Sequence, residues 1–152
     1  MEKVFELYIK TSAERLWQAI TDRELRAQYN FGVNVYSDWQ QGSTYKGLVG
    51  TPDDGMLLFE GEVLEAVRPT RLVLTYRACW SDAVKREGTS RVTWAIEPVA
   101  SSCKLVLVHD ELRADAHPQL YGGWPMVLSG LKTLLETGEF LTTPASLQFL
   151  GR

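Results

Sequence analysis

The sequence predicts an α+β fold in which one curved antiparallel β-sheet wraps around a long C-terminal helix. Between residues 33 and 112, short segments alternate apolar and polar residues and are separated by turn residues. One-sided alternation of this kind is typical of antiparallel strands with one covered face. Further along the chain, Trp124, Leu128, Leu131 and Leu135 recur at helical spacing, which gives the final helix one apolar stripe to lay on the sheet.

Length and composition point to one globular domain. The chain has 152 residues with 16 basic and 19 acidic side chains, a net charge of -3. This balance argues against nucleic-acid binding, which needs a concentrated basic face. No apolar run approaches the ~20 residues that a membrane-spanning helix needs, and no signal peptide is evident. Cys79 and Cys103 are interpreted as reduced thiols of a cytoplasmic protein. We expect a domain over residues 1–140 and a tail over residues 141–152.

The elements follow in a definite order. Residues 1–10 alternate as a strand, and two short helices come directly after it. Each helix begins with a Thr-x-x-Glu pattern typical of a capping box, Thr11 with Glu14 and Thr21 with Glu24. The final helix has Pro125 in its first turn and ends at Gly138. Six more strands are predicted between these helices, over residues 33–36, 45–49, 58–67, 72–80, 91–97 and 104–112.

Four segments carry a resemblance to a known family. They are residues 11–17 (TSAERLW), 37–43 (SDWQQGS), 62–69 (EVLEAVRP) and 123–138, which begins Gly-Trp and ends LKTLLETG. In this order they resemble the bacterial single-domain members of the family named for the activator of the 90-kDa heat-shock protein's ATPase. That family lies in the START-like (SRPBCC) superfamily, and the resemblance spans residues 3–139. It implies a helix-grip fold, with a ligand pocket left between the long helix and the sheet.

The resemblance places the candidate ligand-binding residues on the concave face of the sheet, on the inner stripe of the helix and at the entrance. Most of them are aromatic or aliphatic, so either a plain core or an apolar ligand site accounts for them. The candidates within the pocket are Tyr45, Phe59, Leu74, Tyr76, Trp94, Leu107, His109, Trp124, Leu128 and Leu131. Those near the entrance are Tyr29, Phe31 and Trp39.

His109 is the most informative single residue, because alternation turns it inward together with Leu105 and Leu107. It is either a histidine satisfied by its neighbours or a polar anchor for a ligand. Relatives commonly follow this histidine with a small residue and glycine, whereas here Asp110 and Glu111 follow. Alternation would then put Glu111 on the same face as His109, near the mouth of the pocket.

Three functions remain open on the sequence. The leading hypothesis is the binding of a small hydrophobic ligand, including lipids and aromatic acids, without cofactor or metal. The second is a protein-interaction module with a chaperone or another protein as partner, and a homodimer is also left open. The third is a cyclase- or hydrolase-like enzyme using His109 and Glu111 as an acid–base pair. No nucleophile elbow, HExxH helix or Walker loop is present, so the sequence favours a protein that is not an enzyme.

Overall fold

The computed structural model describes residues 1–144, and these form a single antiparallel sheet covered on its concave face by helices. The sheet has seven strands in the order β1-β7-β6-β5-β4-β3-β2. Each strand from β2 onward pairs with the next in sequence, and β7 returns to pair with β1. The α+β helix-grip prediction is confirmed. The expected tail lies mostly outside the described residues, and the boundary at residue 140 stays a prediction.

The strands are close to their predicted positions. They span β1 Lys3–Ile9, β2 Asn34–Ser37, β3 Thr44–Val49, β4 Met56–Val67, β5 Arg71–Ala78, β6 Thr89–Val99 and β7 Ser102–Asp110. The helices are α1 Ala13–Thr21, α2 Arg23–Tyr29, a single turn α3 Asp82–Lys85, a 3-10 turn Pro118–Leu120, and the long α4 Trp124–Thr137. The turns at 82–85 and 118–120 were not predicted, because four and three residues are too few to show helical periodicity.

The two predicted capping boxes are wrong by one residue. Helix α1 is capped by Ser12, whose hydroxyl accepts from the Arg15 amide at 3.1 Å. Helix α2 is capped by Asp22, whose carboxylate accepts from the Leu25 amide at 3.0 Å. In each case a threonine lies next to the serine or aspartate that caps the helix. Threonine, serine and aspartate all commonly cap helices, so the sequence pattern did not distinguish the two neighbours.

A substitution at Ser12 tests this assignment. Ser12→Ala leaves the Arg15 amide without its side-chain acceptor, and we expect it to lower the free energy of unfolding by about 1 kcal/mol. Thr11→Ala is the matched control and should cost less, since the Thr11 hydroxyl caps nothing in α1. Urea denaturation of the two variants measures the difference. A larger loss for Thr11→Ala would show that the capping box begins at Thr11 after all.

Helix α4 is fastened to the sheet at its C-terminal half. The Lys132 ammonium donates to the carbonyl of Tyr8 at 2.7 Å, and Glu136 accepts from the Lys10 amide at 2.8 Å. On the same half, Leu131 and Leu134 pack into the main hydrophobic core. At the N-terminal end, the Trp124 indole donates to His109 of β7 at 3.1 Å. There Trp124 and Val127 face Phe59 of β4 and Tyr76 of β5 across remaining space.

Candidate functional site

A cavity of about 250 Å³ lies under the N-terminal end of α4. One wall comes from α2 and the loop after it, a second from β4 and β5, and a third from the 3-10 turn and the start of α4. Its lining is predominantly apolar and aromatic, and it is partly open to solvent. The lining residues are Arg26, Asn30, Phe31, Val33, Leu58, Phe59, Tyr76, Trp80, Gln119, Leu120, Gly123, Trp124 and Val127.

Four of the predicted residues line this cavity: Phe31, Phe59, Tyr76 and Trp124. The Phe59 ring lies over Gly47 of the neighbouring strand, where a Cβ atom would come within 2.3 Å of the ring. Glycine at that position therefore lets the ring lie close against the sheet. The ring of Phe59 then stacks against that of Tyr76, with centroids 5.4 Å apart.

Seven of the other predicted residues are buried in the hydrophobic core and do not line the cavity: Tyr29, Tyr45, Leu74, Trp94, Leu107, Leu128 and Leu131. Trp39 also lies outside it and stacks on Tyr45 with ring centroids 6.2 Å apart. The inner stripe of α4 thus meets the sheet directly over much of its length. The expectation that helix and sheet stand apart is met only at the beginning of α4.

The phenol hydroxyls of Tyr29, Tyr45 and Tyr76 differ in whether they have a hydrogen-bond partner. The Tyr45 hydroxyl donates to the carbonyl of Thr75 at 2.5 Å, and that of Tyr29 donates to the carbonyl of Ala19 at 2.8 Å. Burial raises the pKa of Tyr29 to about 12, opposed by the positive charge of Arg26. The Tyr76 hydroxyl has no hydrogen-bond partner among residues 1–144, although burial raises the pKa of this phenol as well. Of these three tyrosines, Tyr76 alone has a donor to offer a guest.

His109 is fully enclosed and both of its ring nitrogens are in use. The indole N–H of Trp124 donates to Nδ1 at 3.1 Å, so Nδ1 carries no proton, and Nε2 lies 2.8 Å from the Ser90 hydroxyl. This arrangement fits the neutral tautomer protonated at Nε2. Burial lowers the pKa of His109 to about 4, partly offset by the charge of Asp110. Of the two interpretations, the geometry supports a histidine satisfied by its neighbours.

The expectation that Glu111 shares the inward face with His109 is wrong. Strand β7 ends at Asp110, and Glu111 has a positive φ of 58°, which breaks the alternation. Its exposed carboxylate lies 3.5 Å from the Arg91 guanidinium, and Arg91 also pairs with Asp110. Alternation holds only while the backbone stays extended, so it failed at the first residue beyond the strand.

The polar residues of the cavity were missed by sequence reasoning. Arg26 and Asn30 are only 5% and 8% exposed, although both line the cavity. They lie one helical turn apart on the face of α2 that also carries Tyr29. A charged residue on the same helical face as a buried tyrosine was the signal that could have identified them. The missed cavity residues also include Val33, Leu58, Trp80, Gln119, Leu120, Gly123 and Val127.

No helix within residues 1–144 is long and apolar enough to cross a membrane. The same residues contain no cluster of three or more His, Cys, Asp or Glu side chains placed to hold a metal ion.

Known proteins share this architecture. CalU16 from Micromonospora echinospora is 16% identical with a TM-score of 0.72, over 97% of this chain and 80% of its own. The protein MLL2253 from Mesorhizobium loti is 23% identical with a TM-score of 0.73, over 92% of this chain and 100% of its own. The Aha1 dimer from Colwellia psychrerythraea is 16% identical with a TM-score of 0.71, over 91% of this chain and 98% of its own. At these identities the structures show the fold alone.

The family assignment comes from the sequence itself. No curated protein matches the chain. Residues 10–136 match the family model described as Activator of Hsp90 ATPase homolog 1-like protein. The match covers most of the chain, including three of the four motifs in full and the fourth as far as residue 136. The chain therefore belongs to the family of Activator of Hsp90 ATPase homolog 1-like proteins.

Proposed function

We propose that the protein binds a small hydrophobic or aromatic ligand in the cavity under the N-terminal end of α4. The observation that carries this proposal is a cavity of about 250 Å³ walled by aromatic side chains. Concave, mostly apolar sites with a few polar groups are where proteins generally bind small molecules. Removing apolar walls from water favours the entry of an apolar guest.

The size of the cavity limits the guest. An engineered apolar cavity of ~150 Å³ accommodates benzene, so 250 Å³ suits roughly ten non-hydrogen atoms. At about 0.3–0.5 kcal/mol per atom, apolar contact gives roughly 3–5 kcal/mol, which corresponds to millimolar affinity. A guest of one ring with a short chain fits this volume, and tighter binding needs either a polar anchor or an extension through the opening.

Filling the cavity from α4 tests the proposal. Val127 is buried and lines the cavity, so Val127→Phe should occupy the space that a guest would take. We expect 3-phenylpropanoate to change the tryptophan fluorescence of the wild type, because Trp80 and Trp124 line the same space. In Val127→Phe the affinity should fall at least tenfold.

The control is Ser129→Phe, which adds the same ring to an exposed position of the same helix. It should bind the probe like the wild type. If Val127→Phe folds and keeps the wild-type affinity, the probe binds elsewhere and the cavity is not the site. Circular dichroism melting of both variants shows whether each is folded.

A chaperone partner is the second candidate, and it is supported by the description of the family model. The apolar tail residues Leu147, Phe149 and Leu150 also suit contact with a protein partner, and they lie outside the described residues. The expected result is a change in the ATPase rate of a 90-kDa heat-shock protein on addition of this protein. An unchanged rate at a tenfold molar excess would count against it.

The cyclase- or hydrolase-like alternative has lost its acid–base pair. Glu111 lies on the surface with Arg91, and both nitrogens of His109 are bonded inside the protein. Neither group reaches a common substrate position, which general acid–base catalysis requires. The geometry therefore does not support an acid–base role for this pair.

A further inference from the structure

The cavity contains a positive charge that no acidic side chain of residues 1–144 neutralises. Arg26 is 95% buried, and no carboxylate within residues 1–144 forms a salt bridge with it. No acidic side chain lines the cavity. Arginine is seldom buried without a partner, because removing a charge from water is costly. The described structure thus leaves one buried cation without a counterion, beside an apolar space.

The guanidinium of Arg26 is only partly used. Its Nη1 donates to the carbonyl of Ile20 at 3.2 Å, near the end of α1. Its Nε is buried and makes no hydrogen bond, and Nη2 has none to any described residue. The guanidinium also lies over the Trp94 ring, 5.5 Å from its centroid. One edge of this rigid group, Nε with Nη2, is held in place without an acceptor.

Another arginine of this chain shows what the Nε–Nη2 edge of a guanidinium binds. Arg91 uses the same two nitrogens to hold the Asp110 carboxylate, Nε at 2.9 Å from one oxygen and Nη2 at 2.7 Å from the other. The paired N–H groups of arginine match the two oxygens of a carboxylate in geometry and charge. At Arg26 the same edge is present and the carboxylate is missing.

Two more polar groups around the cavity are unsatisfied. The side-chain amide of Asn30, a residue only 8% exposed, makes no hydrogen bond to another described residue. The Tyr76 hydroxyl likewise has no partner within the described part of the chain. Of these three groups, only Arg26 Nε is fully buried without a partner among residues 1–144. The Asn30 amide and the Tyr76 hydroxyl remain accessible, so a guest in the cavity can accept hydrogen bonds from them.

We propose that the cavity binds the carboxylate of a small apolar acid, with the free Nε–Nη2 edge of Arg26 as its anchor and Asn30 and Tyr76 as supporting donors. The apolar part of the guest lies against Phe59, Leu58 and Trp124. This proposal rests on the proposed function and narrows it, from any small hydrophobic compound to an acid. The bond to Arg26 also adds a polar interaction to the apolar contacts, which by themselves give only millimolar affinity in a cavity of this size.

A matched pair of probes tests the proposal: 3-phenylpropanoate and its neutral amide, 3-phenylpropanamide. They have nearly the same shape and differ in charge, and calorimetric titration gives both dissociation constants. We expect the wild type to bind the acid at least tenfold more tightly than the amide. In Arg26→Met the acid should lose that advantage, so that the two constants agree within twofold, while amide binding changes less than threefold.

Arg23→Met is the control, because Arg23 lies on the same helix, is exposed and does not line the cavity. It removes the same charge and should keep the preference for the acid. If Arg26→Met does not fold, Asn30→Leu combined with Tyr76→Phe replaces it and should reduce the preference at least threefold.

The outcomes separate this proposal from the broader one. Equal binding of acid and amide by the wild type overturns the anchor and leaves a ligand site for neutral compounds. A preference that survives Arg26→Met, or that the double variant used in its place reduces less than threefold, also overturns it. No binding of either probe at 10 mM counts against the proposed function itself, and the anchor falls with it.

Discussion

Leu131→Ala is expected to lower the free energy of unfolding by about 3–5 kcal/mol, because it opens a new void where α4 meets the sheet. Leu131 is fully buried in the core and does not line the cavity. For a domain of this size, such a loss lowers the melting temperature by roughly 10 °C. Because domains are stable by only ~5–15 kcal/mol, the loss is large and readily measured by urea denaturation.

The comparison with Leu58→Ala makes this prediction informative about function. Leu58 lines the cavity and is only partly buried, so its truncation enlarges an existing space and should cost less than Leu131→Ala. Binding of 3-phenylpropanoate should weaken in Leu58→Ala and stay within threefold of wild type in Leu131→Ala. If Leu131→Ala instead costs little stability and weakens the binding of 3-phenylpropanoate, helix α4 and the sheet are separated along the whole length of the helix.

Acidification is expected to remove about 3 kcal/mol of stability through His109 alone. The pKa of this residue is about 4 in the folded protein, below its ordinary value of 6.5. The unfolded chain therefore binds a proton at higher pH than the folded chain does. The contribution is complete above pH 6.5 and is lost as the pH falls from 6.5 to about 4. Its physical source is burial between Trp124 and Ser90.

His109→Gln isolates this effect, since glutamine does not titrate and its carbonyl oxygen can still accept from the Trp124 indole. The variant should be less stable than wild type at pH 7 and should lose less stability between pH 6.5 and pH 4. Asp110 contributes at more acidic pH, because its bonds to Arg91 hold its pKa below the usual value. Parallel stability curves for both proteins over this interval would show that His109 takes up its proton at the same pH in the folded and the unfolded chain, and would contradict the lowered pKa.

Much of the fold could be predicted from the sequence because local patterns determine it. Alternation along β1 places Phe5, Leu7 and Ile9 toward the core, and burial follows that pattern. Helix α4 ends as expected at Gly138, which takes the left-handed conformation with a φ of 76°. Errors were concentrated at element ends, where Thr11 competes with Ser12 and where Glu111 leaves the extended backbone.

The site was less predictable, because a cavity depends on how whole elements sit relative to one another. The apolar stripe of α4 is continuous in sequence, and nothing in it distinguishes Leu128, which packs in the core, from Trp124, which lines the cavity. Phe31 was predicted near the entrance on the expectation that the turn over residues 37–43 folds over the pocket. Arg26 was missed because a charged residue on a short amphipathic helix is usually exposed to solvent.

The central claim is that the cavity under the start of α4 accepts a guest. The most direct test is to titrate 15N-labelled protein with 3-phenylpropanoate and follow the indole N–H signals of its five tryptophans by NMR. Trp80 and Trp124 line the cavity and donate to Gln119 and His109 respectively, so their signals should shift in a saturable manner. Trp17 and Trp39 lie outside the cavity and should not shift. Unmoved signals of Trp80 and Trp124 at 10 mM probe would contradict the claim.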